Sequence, residues 1–359
     1  MSLKIVNVPS VTGGPILKSP GFKKKHLADR HMELMALCGF GCAYCSSNDG
    51  NYLRINRKPF ADLTERQLGE RLLPATSPEL TFAWPDIEDR LEEQLRTKPK
   101  KWGAGETLIL SQLTDPFTGP AFKGGATRRV MKRVIDATSF RIRVLTKNSV
   151  VGLSKEWLEF FASHADRFVV GLSCGSVDDA WAERVEVNCP PPSARLKALR
   201  ALQDAGVPTF GMLCPIFPDS LWHLREGGRL DELVDAIRPD RCETVWAEPY
   251  NDRNNWRAVR AGYEEGSPGW TWMTRVYEER APGVWSDYAT MLLCRLRERA
   301  ALGGWIHKLK YLLYEGGITE ADAQVVAYDL DGVLLQDAPD PKTGRSRHPA
   351  FAAAQSVQK

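Results

Sequence analysis

Short apolar runs alternate with helical periodicities along most of the chain. Met32–Leu37, Thr107–Leu110, Arg141–Thr146, Phe168–Ser173, Val207–Cys214 and Cys242–Ala247 each read as a strand-like run. Between them lie helical patterns. Val130, Met131, Val134 and Ile135 share one face; Ser154 opens a helix in which Leu153, Trp157 and Phe161 are spaced for burial. Pro191-Pro192-Ser193 opens another with Leu196, Leu199 and Leu202, stopped by Gly206, and Leu230–Ile237 reads as one more. Six strands alternating with helices predict parallel pairing through right-handed crossovers. The expected fold class is α/β, a partial (β/α)6 TIM-like barrel over residues 31–250.

The flanks read differently. Residues 1–30, rich in Gly, Pro and Lys, predict an irregular lead-in, with Lys23-Lys24-Lys25 as a solvated face or a contact for an anionic substrate. An insertion at 46–106 carries a helix that Thr64-Glu-Arg-Gln67 could cap, and a charged helical stretch over Pro85–Lys101. Residues 251–337 form a C-terminal α+β extension. Trp270, Trp272 and Trp285 precede expected helices at Ser286–Arg299 and Trp305–Tyr314. Val325–Leu330 and Val333–Asp337 then flank Asp331-Gly332 as a hairpin. Asp329-Leu-Asp331-Gly also mimics a phosphatase box, but too little chain follows to build that enzyme. The tail, 338–359, predicts no order.

Composition narrows the function classes. The 359 residues are 43% hydrophobic and 26% charged, a globular balance, and a net charge of +3 is too small to mark a polyanion-binding protein by itself. Arg128, Arg129, Lys132 and Arg133 do cluster on one expected helix. No apolar run approaches a membrane span, and the first residues lack a signal-peptide profile. Eight cysteines without a secretion signal predict a reducing, cytoplasmic setting.

The cysteines carry the chemistry. Cys38-Gly-Phe-Gly-Cys42-Ala-Tyr44-Cys45 sets three thiols on one short loop. Three thiolates can hold three corners of a cubic iron–sulfur cluster and leave the fourth iron open to a small molecule. Two other readings stand beside this one. Free cysteines often serve as small buried hydrophobes, and zinc takes Cys3His sets, with His31 nearby. Cys174, Cys189, Cys214, Cys242 and Cys294 are scattered singly. Polar groups recur at the ends of the expected strands, where parallel barrels gather function: Ser-Gln-Leu-Thr-Asp-Pro at 111–116, Thr146-Lys147-Asn148, Ser173-Cys174, Pro-Ile-Phe-Pro at 215–218 and Glu-Pro-Tyr-Asn at 248–251.

The pattern Cys-x-x-x-Cys-x-aromatic-Cys, with Tyr44 before the last cysteine, resembles the signature of radical S-adenosylmethionine (SAM) enzymes. The strand ends resemble the branch of spore photoproduct lyase and its DNA-photolyase-like relatives. The marks are Ser-x-x-Thr-Asp-Pro at 111–116, Leu145-Thr-Lys147, Gly171-Leu-Ser173, Glu186 before Pro190-Pro-Pro-Ser193-Ala-Arg195-Leu196, Ala205-Gly206-Val-Pro208 and Pro215-Ile-Phe-Pro218. The resemblance implies a [4Fe-4S] cluster on Cys38, Cys42 and Cys45. It implies S-adenosyl-L-methionine held by Thr114, Asp115, Lys147, Ser173 and Arg195, with Tyr44 beside the adenine. It also implies a one-electron reductant such as flavodoxin or ferredoxin, and hydrogen abstraction from a substrate, a nucleic-acid base or lesion by analogy.

The chain departs from that branch in two places. Asp115-Pro-Phe-Thr-Gly-Pro120 replaces Asp-Pro-Tyr-Gln-Pro, and Leu113-Thr114 stands where the lyase has a hydrogen-donor cysteine. Cys174 is the candidate substitute donor, or else a structural cysteine. The alternative substrates are a peptide or small metabolite, with the tryptophan-rich 251–285 segment over the barrel mouth. A non-catalytic cysteine–metal module binding a partner protein is the alternative from outside enzymology.

Overall fold

A computed structural model describes residues 3–9, 15–19, 25–221, 229–336 and 348–357. The chain divides into two compact units, the first made of 1–173, 178–209 and 252–262, the second of the remainder.

The first unit holds two sheets. In the smaller, β1 (Lys4–Asn7) runs parallel to β4 (Leu80–Ala83), and β3 (Met35–Leu37) runs antiparallel to β4 on its other side. In the larger, β2 (Arg30–Met32), β5 (Thr107–Leu110), β6 (Arg141–Thr146) and β7 (Phe168–Leu172) are parallel neighbours in that order. Thr209, the first residue of β8 (Thr209–Ile216), pairs with Val170 of β7. In the second unit β8, β9 (Cys242–Pro249), β10 (Leu309–Leu313) and β11 (Val333–Leu335) are parallel neighbours. The α/β class expected from the pattern is what the chain adopts, and among the described residues parallel pairing continues beyond the six expected strands into β10 and β11.

Burial explains why these runs are strands. Every residue of β7 is buried, as a strand covered on both faces requires. The helix Lys155–Ala162 presses Trp157, Phe160 and Phe161 around Phe117 and Phe168, with ring centroids 4.9–6.4 Å apart. The helix Pro192–Asp204 buries Leu196, Leu199 and Leu202, each such side chain contributing about 1.5–3 kcal/mol. A second cluster, Val6, Leu37, Leu53, Phe60, Leu80 and Phe82, lies at the small sheet, with Phe60 stacked on Phe82 at 4.2 Å.

Several expectations change. Met32–Leu37 is two strands in two sheets, broken at Glu33-Leu34. The carboxylate of Glu33 turns to accept the backbone N–H groups of Gln112, Leu113 and Thr114, at 2.6, 2.9 and 3.2 Å, and the chain leaves the parallel sheet there. The cysteine loop therefore follows β3, not the first parallel strand. Thr64 is no cap: it lies inside the helix Asn51–Leu68, where its hydroxyl donates to the Ala61 carbonyl and accepts from the Leu72 N–H. The lead-in contains β1 and a bridge between Lys18 and His31; Lys23 and Lys24 fall outside the described residues.

The C-terminal extension is rebuilt most. Ser286–Arg299 lies within a helix, Val284–Leu302, as expected. Trp305–Tyr314 is a single helical turn, Ile306–Lys308, followed by β10, whose Leu309, Tyr311, Leu312 and Leu313 are all buried. The expected hairpin is a crossover. Thr319 caps the helix Glu320–Ala327, accepting from the Asp322 N–H, and β11 returns parallel to β10. Gly332 adopts φ of +74°, and any β-carbon there would stand 2.5 Å from the Leu309 carbonyl oxygen. In the tail Pro349–Val357 is helical with Phe351 buried, while 338–347 and Asp337 lie outside the described residues.

Candidate functional site

Two glycines give the cysteine loop its path. A β-carbon on Gly39 would stand 2.5 Å from the Thr81 hydroxyl oxygen. Gly41 needs φ of +66°, and its β-carbon would stand 2.6 Å from that of Pro78. The loop is then clamped from the opposite side by residues 185–189. Ala43 N–H donates to the Val185 carbonyl at 2.7 Å and Asn188 N–H to the Phe40 carbonyl at 3.1 Å; Cys42 forms an antiparallel bridge with Glu186. The Asn188 amide also donates to the carbonyls of Gly39 and Pro78, at 2.9 and 3.1 Å. Cys45 ends the loop and opens the turn Ser46–Asp49, its carbonyl accepting from Asn48 and Asp49. Burial pushes the thiols of Cys38 and Cys45 up, with neighbouring cysteines adding to it.

Beside the loop, one buried carboxylate organises the polar groups. Glu186 accepts from the Tyr44 hydroxyl and the Arg195 guanidinium, and Lys147 Nζ lies 3.1 Å from its Oε1. Lys147 Nζ also donates to Ser173 Oγ at 2.9 Å and sits 5.3 Å above the Tyr44 ring. Arg195, 1% exposed, donates its other nitrogen to the Ser173 carbonyl at 2.6 Å. Burial opposes charge on Glu186, but Lys147, Arg195 and the Tyr44 hydrogen bond outweigh it and hold the carboxyl at about 2. For Lys147 the order is the same: burial favours the neutral amine, and the Glu186 carboxylate reverses it. Burial and the Glu186 charge push the Tyr44 phenol well up.

A second carboxylate joins strand ends. Asp115, at the end of the β5 loop, accepts from the Lys147 N–H at 2.7 Å, the Phe117 N–H at 2.9 Å and the Thr146 hydroxyl at 2.8 Å. Burial still dominates and raises it to about 6. Burial likewise raises Glu33, against the hydrogen bonds it accepts from 112–114.

The structure thus gathers Tyr44, Lys147, Ser173 and Arg195 at one buried centre next to Cys42, with Asp115 bonded to the Lys147 backbone. Thr114 is turned elsewhere: its hydroxyl donates to Glu33 at 2.6 Å. Cys174 belongs to the second unit, fully buried, its N–H bonded to the Met212 carbonyl at 3.0 Å. Glu186, Glu33 and Cys189 are the residues the chain pattern did not single out as site groups. The Cys189 sulfur lies 3.5 Å from that of Cys42. Asp179, Glu183, Glu186, Val187, Cys189 and Pro191 line a cleft of about 570 Å³.

Two other features of the sequence find their partners in the structure. The basic cluster is neutralised in pairs: Arg129 holds Glu88 through two bonds of 2.8 and 2.6 Å, Arg133 holds Glu92, Arg128 meets Glu156, and Lys132 lies 3.1 Å from Asp136. Trp272 and Trp285 are buried, and Trp270 is half-buried. Within the second unit Trp272 packs edge-on to Tyr288 at 5.1 Å, and Trp285 Nε1 donates to the Tyr250 carbonyl at 2.8 Å. Among the described residues no helix is long and apolar enough to cross a membrane.

No family model matches the chain. An uncharacterised protein of Acidianus two-tailed virus, ORF301, is 23% identical over 218 residues, a stretch covering 60% of this chain and 65% of that protein. Among solved structures the chain is similar to a spore photoproduct lyase mutant with bound AdoMet and dinucleoside spore photoproduct, at 17% identity and a TM-score of 0.44. The match covers 73% of this chain and 66% of the lyase chain. It is also similar to anSMEcpe with bound AdoMet, at 10% identity, a TM-score of 0.42, and 77% and 59% coverage.

Proposed function

We propose that the first unit is a radical SAM enzyme core, with a [4Fe-4S] cluster on Cys38, Cys42 and Cys45 and SAM held beside it. The observation that carries this reading is the joining of the three-thiol loop, through the 185–189 clamp, to the buried set Tyr44, Lys147, Ser173, Glu186 and Arg195. The residues fit the group. Three unbridged thiols stand within eight residues on one loop, Cys42 buried and Cys38 and Cys45 half-buried. Among the described residues no three His, Cys, Asp or Glu side chains converge on a single-ion site, and a cube, which binds one thiolate per corner iron, needs no such convergence. When bound, the cluster supplies the electron that cleaves SAM reductively and so starts hydrogen abstraction from a substrate.

The chain's own residues bind and orient. Lys147 and Ser173 offer donors suited to a carboxylate and to ribose hydroxyls, and Tyr44 offers a ring face to an adenine. Glu186 keeps Lys147 charged and holds Arg195 in place, and Asp115 fixes the Lys147 backbone. Low exposure of the whole set keeps water from the reacting groups. A flavodoxin- or ferredoxin-type reductant is the natural electron source. A nucleic-acid substrate rests on the lyase likeness; DNA affinity that falls steeply with salt supports it, and no affinity at low salt favours a peptide or metabolite.

Anaerobic reconstitution with iron and sulfide, then dithionite and SAM, tests the core reading. The wild type is expected to form 5′-deoxyadenosine, and Cys38→Ala, Cys42→Ala or Cys45→Ala to lower it at least about 100-fold. A wild-type chain that binds iron but yields no 5′-deoxyadenosine rejects it.

A further inference from the structure

Cys189 is held against a cluster-loop cysteine by design of the backbone. The antiparallel bridge between Cys42 and Glu186 sets the two segments side by side, and Asn188 anchors to Phe40, Gly39 and Pro78. A turn in which Cys189 N–H donates to the Glu186 carbonyl at 2.9 Å then brings the Cys189 sulfur to 3.5 Å from that of Cys42. Neither sulfur is bridged in the structure. Cys42 is buried, whereas Cys189 lines the 570 Å³ cleft and is reachable from it. One accessible thiol in contact with one sheltered thiol is the arrangement of a dithiol that exchanges in sequence.

We infer that Cys42 and Cys189 are a reversible disulfide pair, formed when the iron-free chain meets a low-molecular-weight disulfide. Cys189 sulfur attacks one sulfur of that disulfide and releases the other as a thiol, leaving a mixed disulfide. Cys42 sulfur then displaces the second thiol and forms the Cys42–Cys189 bond. Two electrons pass from the protein pair to the small disulfide, and the two thiol protons end on the two released thiols. The bond occupies a thiolate that iron needs, so the oxidised chain is closed to the cluster until a thiol reduces it; this consequence rests on the reading of the preceding subsection.

The test uses the full chain, freed of iron under argon and titrated with glutathione disulfide. Remaining thiols are blocked with N-ethylmaleimide, and unreduced digests are mapped by mass spectrometry. The expected result is a dominant Cys42–Cys189 link that dithiothreitol removes, with iron uptake in a thiol-free reconstitution about tenfold lower than for the reduced chain. Cys189→Ser, and Cys189→Ala as a second variant checked for an unchanged circular dichroism spectrum, should take up iron equally before and after glutathione disulfide. Cys42 and Cys189 both blocked by maleimide throughout the titration, or Cys42 linked chiefly to another cysteine, overturns the inference. Loss of iron uptake by a folded, reduced Cys189→Ser chain overturns it too, by making Cys189 a ligand. The link is read without iron, so a wild type that links but never loads iron counts against the cluster reading alone.

Discussion

Glu186 and Asp115 are both buried carboxylates, and their surroundings push them in opposite directions. Glu186 is held at about 2 by two cations and a phenol despite burial. Its contribution to stability is complete above the unfolded value of 4.5 and is lost as pH falls from there through 2. Asp115, raised to about 6 by burial, binds its proton more tightly folded than unfolded. Stability therefore falls as pH rises from 3.8 through 6, and the fall is over above that. At about 1.4 kcal/mol per pKa unit, each effect is on the order of 3 kcal/mol at most. Urea unfolding across pH separates them: Asp115→Asn should flatten the decline between pH 4 and 6. Glu186→Gln should lose about 3 kcal/mol at pH 7, because Lys147 and Arg195 remain buried without a counter-charge. A Glu186→Gln chain as stable as wild type at pH 7 contradicts the assignment of Glu186 as their counter-ion. Neither role was legible in the sequence. In the sequence Glu186 is one mark of a resemblance and carries no role, and its partners at 44, 147 and 195 come from separate elements.

At the scale of elements, the cysteine loop was legible and its support was not. The three thiols and two glycines are local, so spacing alone shows them. The clamp from 185–189 is a pairing of chain segments far apart in sequence, and nothing periodic marks it. Gly41 offers a direct test of that packing. Alanine there must adopt φ of +66° with its β-carbon 2.6 Å from that of Pro78, a strain on the order of 1–3 kcal/mol. Gly41→Ala should lower the urea midpoint accordingly and reduce iron bound per chain. Full iron loading at wild-type stability contradicts a loop set by this contact. The paired helices teach a related lesson. Arg129 and Arg133 stand in a basic cluster in the sequence, and Glu88 and Glu92, on another helix, answer them. Such exposed pairs add little to stability, because water and salt screen them. DNA affinity, if present, should survive Arg129→Gln and Arg133→Gln with less than about a twofold change, measured by fluorescence anisotropy at fixed salt.

For the whole molecule, ligand binding should appear as stability. A ligand bound only by the folded chain stabilises it by about 2.7 kcal/mol at a hundred times its Kd. Cluster-loaded protein should therefore melt several degrees higher when SAM is added, and Lys147→Ala should lose most of that rise. No shift with saturating SAM contradicts a SAM site at Lys147, whatever the substrate. The alternation of strand and helix, the α/β class and the three-thiol loop were determined by the sequence itself, because periodicity and short spacing are local properties of a chain. Parallel return of β11 through a helix, the neutralisation of the basic cluster, the counter-ion role of Glu186 and the contact of Cys189 with Cys42 were decided only by tertiary structure. Each depends on which distant segments are desolvated together, and burial sets the strength and sign of their charges only once they meet.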